Sequence, residues 1–305
     1  MNSQTGLRHV LRAEEFERLE LEYLFGLARS LPRRGNSLQG CIMASLFYEE
    51  STRTRLSFES AMLQLGGSVI GTENARLSSS VPKGESLHDT VRIISGYSDV
   101  IVLRHEENDS AERSSLVSKV PLINGGSGTE QHPTQALLDL FTLQKECGRL
   151  DGLTVAFVGD LKNGRTVRSL AYLLGKYKKI HIFFVSPEEL TIGDDIKQYL
   201  VNCGHAWRDV RTIEEIIGDV DALYMTRIQK ERFANLETYQ RLKDVYHLDR
   251  TLAMRMRPGS TIMHPLPRND EILVEVDSLP HAAYFRQADN GIAVRKALLH
   301  SLFVT

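Results

Sequence analysis

The feature that most constrains the fold is the alternation of short apolar runs with longer stretches of helical periodicity. Strands buried on both faces of a parallel sheet have such continuous apolar runs, and helices on each face connect them. We predict eight strands in two consecutive sets of four: residues 42–47, 69–71, 100–103 and 122–124, then 154–158, 181–185, 222–225 and 261–263. The sequence therefore predicts an α/β protein with parallel sheets.

The segment between the two sets predicts one long helix. Residues 132–148 carry apolar side chains at helical spacing, and Gly148 is suited to ending the helix. Residues 290–303 predict another helix at the end of the chain. We expect two domains joined by the long helix, with ligands bound in the cleft between them.

Composition excludes several classes of function. Lys and Arg total 37 against 39 Asp and Glu, so no global field attracts nucleic acid or a membrane surface. Residues 1–31 have neither the layout of a signal peptide nor a long apolar run, and we predict a cytoplasmic chain. Cys41, Cys147 and Cys203 lie far apart, which predicts neither a disulfide framework nor a cysteine-rich zinc site.

The segment Ser51-Thr52-Arg53-Thr54-Arg55 follows the first predicted strand and opens a helix. A helix start offers unpaired N–H groups and a positive dipole end, and hydroxyls and a guanidinium add donors, so the segment suits a phosphate. Ser51 is predicted as the N-cap. Arg53 and Arg55 point to different sides of a helix, so we do not expect both to reach one ligand. The alternative is a capped helix with solvated arginines.

Arg104 and the segment His132-Pro133-Thr134-Gln135 also follow predicted strands. The carboxyl ends of strands in an open α/β sheet form the ligand crevice, where an arginine meets anions. Pro133 suits the first turn of a helix, which brings His132 and Gln135 near one face. Taken alone, a surface arginine and a helix-capping histidine are the simpler interpretations.

The segment GDLKNGRT at residues 159–166 resembles a phosphate-binding P-loop, but Arg165 stands where that motif requires Lys. A guanidinium fork suits a carboxylate better. The dinucleotide pattern G-x-G-x-x-G is also absent. The sequence therefore disfavours a nucleotide site here.

Three further segments are loops by local sequence. Arg227-Ile228-Gln229 and His264-Pro265-Leu266-Pro267-Arg268 each follow a predicted strand, and the two prolines leave backbone carbonyls of the second loop able to face an amide ligand. Lys83 lies in a polar loop with Ser79, for which local sequence favours a solvated loop.

Taken together, these segments resemble the carbamoyltransferase family. The motifs STRTR, the strand-end arginine, HPTQ, GDLKNGRT, TRIQKER and HPLPR stand in the family's order, and the last three resemble its aspartate branch. The similarity extends from about residue 38 to residue 302, and it departs from the family pattern at Ser127, where Asp is usual. The resemblance implies transfer of a carbamoyl group from carbamoyl phosphate to L-aspartate, an early step of de novo pyrimidine biosynthesis, without a cofactor or a metal.

The resemblance also implies the fold and its partners. Residues 1–134 with 290–305 are expected to form a carbamoyl-phosphate domain, and residues 135–289 an aspartate domain. Each domain is a parallel sheet flanked by helices, and the active site is expected in the interdomain cleft and at a subunit interface. A homotrimer is implied. Regulatory chains or fused pathway enzymes stay open as partners.

The family's functional residues map onto matching positions. The implied contacts to carbamoyl phosphate are Ser51, Thr52, Arg53, Thr54, Arg104, His132, Gln135, Leu266 and Pro267. The implied contacts to aspartate are Lys83, Arg165, Arg227 and Gln229, with Ser79 and Lys83 contributed by the neighbouring subunit. The catalytic set implied is Arg53, Arg104, His132 and Lys83. The alternatives are an ornithine carbamoyltransferase, which typically has a cysteine in the loop that reads HPLP here, and a nucleotide-binding regulatory relative.

Overall fold

The computed structural model describes residues 8–73, 84–230, 233 and 235–303. The chain divides into two compact units, one formed by Met1–Thr134 and Asn290–Thr305 and the other by Gln135–Asp289. Each unit contains one parallel β-sheet with helices. The predicted α/β class is confirmed.

The sheet of the first unit has four parallel strands. They are β1 (Ile42–Phe47), β2 (Ser68–Glu73), β3 (Val100–His105) and β4 (Leu122–Ser127), in the order β2-β1-β3-β4. β1, β3 and β4 are almost entirely buried, which explains the apolar residues with which each of them begins. All four strands were predicted, and three of them extend further at their carboxyl ends than expected.

Within the described residues, four helices precede or connect these strands: α1 (Arg18–Ser30), α2 (Thr52–Gln64), α3 (Leu87–Ile94) and α4 (Ser110–Ser115). In α1 the buried residues are Leu21, Leu24, Phe25 and Ala28, which recur every three or four positions along one face. At the start of α3 the hydroxyl of Ser86 accepts a hydrogen bond from the N–H of Asp89 at 3.1 Å. These helices thus follow ordinary rules of amphipathicity and capping.

The sheet of the second unit has five parallel strands, so the prediction of four was wrong. They are β5 (Thr154–Val158), β6 (His181–Val185), β7 (Ala206–Val210), β8 (Ala222–Met225) and β9 (Thr261–Met263), in the order β7-β6-β5-β8-β9. The missed strand is β7, with the sequence AWRDV, which lies at the sheet edge and buries only Val210. An edge strand is half solvated, so it lacks the apolar run by which the others were recognised.

The remaining helices are α5 (Pro133–Cys147), α6 (Arg165–Leu174), α7 (Asp194–Asn202), α8 (Leu236–Leu242), α9 (Arg250–Ala253) and α10 (Tyr284–Phe303). The backbones of α5 and α10 both continue from one unit into the other. α5 matches the predicted long helix, and Gly148 follows it with a φ of 71°, where a side chain is disfavoured. α10 begins six residues earlier than the predicted start at Asn290.

All three cysteines are free, as predicted. Cys147 is half-buried, and burial raises the pKa of its thiol to about 11, which keeps it protonated and unreactive at neutral pH. No helix in the described part of the chain combines the length and the apolar character needed to cross a membrane.

Candidate active site

The turn from β1 into α2 builds the predicted phosphate site of the first unit. Ser51 occupies the N-cap position, as predicted, but its side chain makes no capping hydrogen bond. The first-turn N–H groups of α2 are therefore not satisfied by that side chain and can serve an external anion. The geometry favours the anion site over the alternative of a closed, capped helix start.

The two arginines of this turn have different surroundings. Arg55 donates from Nε to Oε1 of Glu59 at 2.8 Å, one helical turn further on. Arg53 is exposed and pairs with no carboxylate of the described residues. Desolvation by the protein around it lowers the pKa of Arg53, yet a guanidinium remains cationic at neutral pH. Arg53 is therefore the cation of this segment that can meet a ligand.

Arg104 is held in place at the end of β3. The residue is only 7% exposed, and its guanidinium donates to Oε1 of Glu49 at 2.9 Å and to the carbonyl of Gly125 at 3.2 Å. The parallel register of β1 and β3 pairs Phe47 with Arg104, so β3 delivers this guanidinium beside the segment that enters α2. The neighbouring strand thus fixes a buried positive charge next to the predicted phosphate segment.

His132 lies against the start of α2. It is 4% exposed, and its Nε2 is 3.4 Å from Oγ1 of Thr54. β4, which precedes the segment of His132, continues through Gly125 to Ser127, three residues past its predicted end. Ser127 is buried and its hydroxyl accepts from the side-chain amide of Asn124 at 3.0 Å, so the position where the family pattern has Asp is still hydrogen-bonded.

Ser79 and Lys83 belong to residues 74–83 and lie outside the described residues. A cavity of about 340 Å³ is lined in part by Tyr48, Glu85, His88 and His105. Its lining includes Glu85, Glu106 and Glu107 as well as Arg113, and the carboxylates do not suit an anionic substrate. The candidate site of the first unit is therefore the α2 entrance with Arg104 and His132.

In the second unit, GDLKNGRT forms the turn between β5 and α6. Gly159 has a φ of 115°, and a Cβ there would stand 2.3 Å from the carbonyl oxygen of Thr226. Asp160 is fully buried and accepts from the N–H of Asn163 at 3.0 Å and from its side-chain amide at 3.1 Å. Glycine thus lets the ends of β5 and β8 approach, and the Asp160 hydrogen bonds shape the turn that presents Arg165.

Arg165 and Arg227 lie at the same edge of this sheet. Arg165 opens α6 after β5, and Arg227 follows β8, the parallel neighbour of β5. Thr226 ties the two strand ends together, because its hydroxyl donates to the carbonyl of Val158 at 2.8 Å. Both arginines and Gln229 are half-buried. Two guanidinium groups at one sheet edge can bind a ligand with two carboxylates.

The loop after β9 is fixed by a buried histidine. Nδ1 of His264 accepts from the N–H of Leu266 at 2.8 Å, so the ring proton is on Nε2, which is 2.8 Å from Oε1 of Glu271. Burial lowers the pKa of His264 and outweighs the effect of Glu271. Burial raises the pKa of Glu271, but the interaction with His264 and the backbone hydrogen bonds from Asn269 and Glu271 together outweigh burial, so the pKa of Glu271 is lowered. A neutral imidazole therefore donates to an ionised carboxylate.

Gln135 stands in the first turn of α5, where its side-chain amide donates to Oδ1 of Asp139 at 2.8 Å. Sequence reasoning identified Gln135 and the HPLPR loop but missed Asp139, Glu271 and Gln287, which hold them. Each of these partners is a lone polar residue in its own segment, and only the folded backbone shows what it contacts.

Family models match both units. Residues 8–145 match the aspartate/ornithine carbamoyltransferase, carbamoyl-P binding domain, and residues 151–302 match the Asp/Orn binding domain of the same enzymes. The chain belongs to the aspartate/ornithine carbamoyltransferase family.

Individual carbamoyltransferases are similar over nearly the whole chain. The chloroplastic aspartate carbamoyltransferase of Arabidopsis thaliana is 51% identical, over 98% of this chain and 78% of that protein. The aspartate carbamoyltransferase catalytic subunit of Methanocaldococcus jannaschii is 46% identical over 97% of this chain and 98% of that protein. The Trypanosoma cruzi aspartate transcarbamoylase structure in complex with carbamoyl aspartate and phosphate is 40% identical, with a TM-score of 0.91, and covers 98% of this chain and 96% of that chain.

The neutral state of His264 gives this carbamoyltransferase chain a pH dependence of stability. Its folded pKa lies below the unfolded value of about 6.5, so the unfolded chain takes up a proton first as the pH falls. Its contribution to the free energy of unfolding is present above about pH 6.5 and is lost as the pH falls toward the lowered folded pKa. We expect wild type to lose more stability than His264→Gln between about pH 7.5 and about pH 5.5 in urea denaturation.

The His264→Gln replacement keeps an amide that can donate to Glu271 and removes the titrating ring. It also removes the Nδ1 acceptor of the Leu266 N–H, a loss that lowers stability equally at both pH values. His247→Gln, at an exposed position of the same unit, is the control for histidine removal in general. A stability difference between wild type and His264→Gln that is the same at both pH values would contradict the assignment of a buried neutral imidazole.

Proposed function

We propose that this chain transfers the carbamoyl group of carbamoyl phosphate to the α-amino group of L-aspartate and releases phosphate. The observation that carries the proposal is the position of Arg165 and Arg227, which follow the adjacent strands β5 and β8. Two guanidinium groups in this arrangement can bind the two carboxylates of aspartate. Relatives with about half of their residues identical are named aspartate carbamoyltransferases, which supports the same choice. Solved structures of the Trypanosoma cruzi relative contain carbamoyl phosphate, aspartate and carbamoyl aspartate.

In this proposal, three sets of contacts bind the phosphate, the carbonyl oxygen and the amide of carbamoyl phosphate. The phosphate is bound at the start of α2 by Ser51, Thr52, Arg53 and Thr54. Arg104 and His132 donate to the carbonyl oxygen, and the buried state of both side chains strengthens their effect on developing negative charge. Gln135 and the carbonyls of Leu266 and Pro267 accept from the amide.

The reaction needs positioning and charge stabilisation more than it needs a nucleophilic residue. Arg165 and Arg227, helped by Gln229, hold aspartate so that its neutral amine attacks the carbamoyl carbon. The new N–C bond gives an oxyanion, which collapses as the C–O bond to phosphate breaks. The departing phosphate accepts the amine proton, and no covalent enzyme intermediate and no cofactor take part.

The finer proposals concern assembly and location. We propose a homotrimer in which Ser79 and Lys83 of one subunit complete the site of its neighbour, with Lys83 binding aspartate and assisting catalysis. The bacterial and archaeal relatives are named catalytic subunits, which supports regulatory chains as additional partners. We propose a cytoplasmic enzyme of pyrimidine biosynthesis, although plant relatives are named chloroplastic.

The first test is phosphate release and carbamoyl product formation from carbamoyl phosphate with L-aspartate, with L-ornithine and with no amine. We expect product with aspartate alone, because two cationic groups at the second-substrate site repel the cationic side chain of ornithine. Product with ornithine alone would keep the phosphate site and overturn the role of Arg165 and Arg227. Release of phosphate that does not depend on the amine would contradict a transferase.

A further inference from the structure

Asn124 is a fully buried residue in β4, and both polar atoms of its side chain are hydrogen-bonded. Nδ2 donates to the carbonyl of Leu11 at 2.9 Å and to the hydroxyl of Ser127 at 3.0 Å, and Oδ1 accepts from the N–H of Gly126 at 2.8 Å. A carbonyl only accepts and an N–H only donates, so the two backbone groups fix the direction of the amide. Asparagine thus satisfies a donor and an acceptor of the backbone at once.

The pairing of β3 with β4 shifts just after Asn124. Two residues of β4, Gly125 and Gly126, stand opposite Arg104 alone. An extra residue of this kind makes a β-bulge, which interrupts the ladder and leaves a backbone group that must be satisfied in another way. The buried N–H of Gly126 is satisfied by Oδ1 of Asn124. The side-chain amide of Asn124 therefore closes the bulge.

The bulge also holds the guanidinium of Arg104. The carbonyl of Gly125 accepts from Nη1 of Arg104 at 3.2 Å, while the carboxylate of Glu49 accepts from Nη2 at 2.9 Å. Bulges next to active sites change the direction of side chains and backbone groups, and this one directs a carbonyl at a cation. Because Gly125 lies between Asn124 and the N–H that Asn124 binds, the same amide fixes the carbonyl that holds Arg104.

The residue after the bulge leads to His132. The N–H of Ser127 donates to the carbonyl of Gln131 at 3.0 Å, and the two residues form an isolated antiparallel bridge. Gln131 directly precedes His132, whose Nε2 is 3.4 Å from Oγ1 of Thr54. The place where β4 leaves the bulge therefore sets where the chain returns to His132.

We propose that Asn124 is a positioning residue for the reaction, which holds the bulge of β4 in the form that places Arg104 and His132 together as donors to one carbonyl oxygen. The proposal rests on the proposed function, because that function assigns both donors to the carbonyl oxygen of carbamoyl phosphate. Asn124 acts through the two donors, since its own polar atoms are bound within the chain. Preorganised donors depend on exact placement, and a displacement of about 1 Å can lower a rate about 10²-fold.

The test is a set of double-mutant cycles on the full chain, with kcat/KM for L-aspartate at saturating carbamoyl phosphate as the measured quantity. Asn124→Leu keeps the approximate size of the side chain and removes its bonds to Leu11 and Gly126. We expect it to lower kcat/KM about 10- to 100-fold. In an Arg104→Ala background and in a His132→Ala background this effect should shrink by at least about threefold, because one of the two positioned groups is already absent.

Two controls separate positioning from general damage. Arg227 belongs to the other unit, so Asn124→Leu should keep its full effect in an Arg227→Ala background. Ser127→Ala removes one acceptor of the same amide but leaves the bonds to Leu11 and Gly126, so kcat/KM should stay within about threefold of wild type. If Asn124→Leu does not fold, the cycles are made with Asn124→Ala, whose smaller side chain leaves room for water beside the buried backbone groups.

A smaller effect in both donor backgrounds, together with the full effect in Arg227→Ala, supports the inference. Equal effects in the wild-type, Arg104→Ala and His132→Ala backgrounds overturn it, as does wild-type kcat/KM in a folded Asn124→Leu variant. A smaller effect in one donor background alone overturns the assignment for the other donor. Failure of the proposed function is a separate result, since it appears as wild-type protein that makes no carbamoyl aspartate.

Discussion

Replacing Arg53 with alanine is expected to lower kcat by about 10²- to 10³-fold, the cost of removing one preorganised donor from a developing negative charge. Arg53 is the cation at the start of α2 that pairs with no carboxylate of the described residues. Charge grows on the phosphate as the C–O bond breaks, so the loss should be larger in turnover than in the binding of carbamoyl phosphate. Steady-state rates at saturating substrate measure it.

Arg55→Ala is the matched control for this prediction. It removes a guanidinium from the same helix two residues later, but that group is occupied by Glu59 at 2.8 Å. We expect turnover within about threefold of wild type, because a partly exposed ion pair contributes little. Arg53→Lys should restore part of the activity, since an ammonium supplies the charge without the fork. Normal turnover in Arg53→Ala would overturn the phosphate assignment.

Much of the fold could be predicted because most buried parallel strands contain a short continuous apolar run. The runs VIVL in β3 and HIFFV in β6 could be recognised without any long-range information. β7 escaped because it lies at a sheet edge and is mostly exposed, so its sequence AWRDV has no continuous apolar run. The rule that recognises strands depends on burial and fails where burial ends.

The site residues at strand ends could also be predicted, because parallel strands bring their carboxyl ends to one edge. Arg104, Arg165 and Arg227 were found in this way, and each follows an observed strand or ends it. The roles of Ser79 and Lys83 stay predictions, since both lie outside the described residues. Individual motifs were ambiguous, and their order along the chain was the stronger signal.

The partners that hold these residues could not be predicted. Glu49 is 55 residues from Arg104, and Gln287 is 148 residues from Asp139. Hydrogen bonds over such separations depend on the packed backbone rather than on local sequence. Ser51 shows a related limit, because local sequence predicts its N-cap position correctly but not that its side chain makes no capping hydrogen bond.

Replacing Arg227 with alanine is expected to raise the KM for L-aspartate by about 10²- to 10³-fold, which is the usual effect of removing one member of a desolvated charge pair. Arg165→Ala should have an effect of the same size. Both arginines belong to the second unit, whereas the predicted phosphate segment belongs to the first. If each arginine binds only aspartate, the Kd of carbamoyl phosphate should change less than about threefold in either variant. Initial rates over a range of aspartate concentrations measure the effect.

The control and a second substrate make the assignment specific. Arg168 lies one turn after Arg165 in α6 and is paired with Asp195, so Arg168→Ala should leave the KM for aspartate unchanged. L-Asparagine lacks the side-chain carboxylate of aspartate. Loss of the arginine that binds this carboxylate should therefore lower the ratio of kcat/KM for aspartate to kcat/KM for asparagine. The other variant should weaken both substrates equally, because both keep the α-carboxylate. If neither variant alters the KM for aspartate, the two arginines do not form the dicarboxylate site, and the choice of aspartate as the acceptor loses its physical basis.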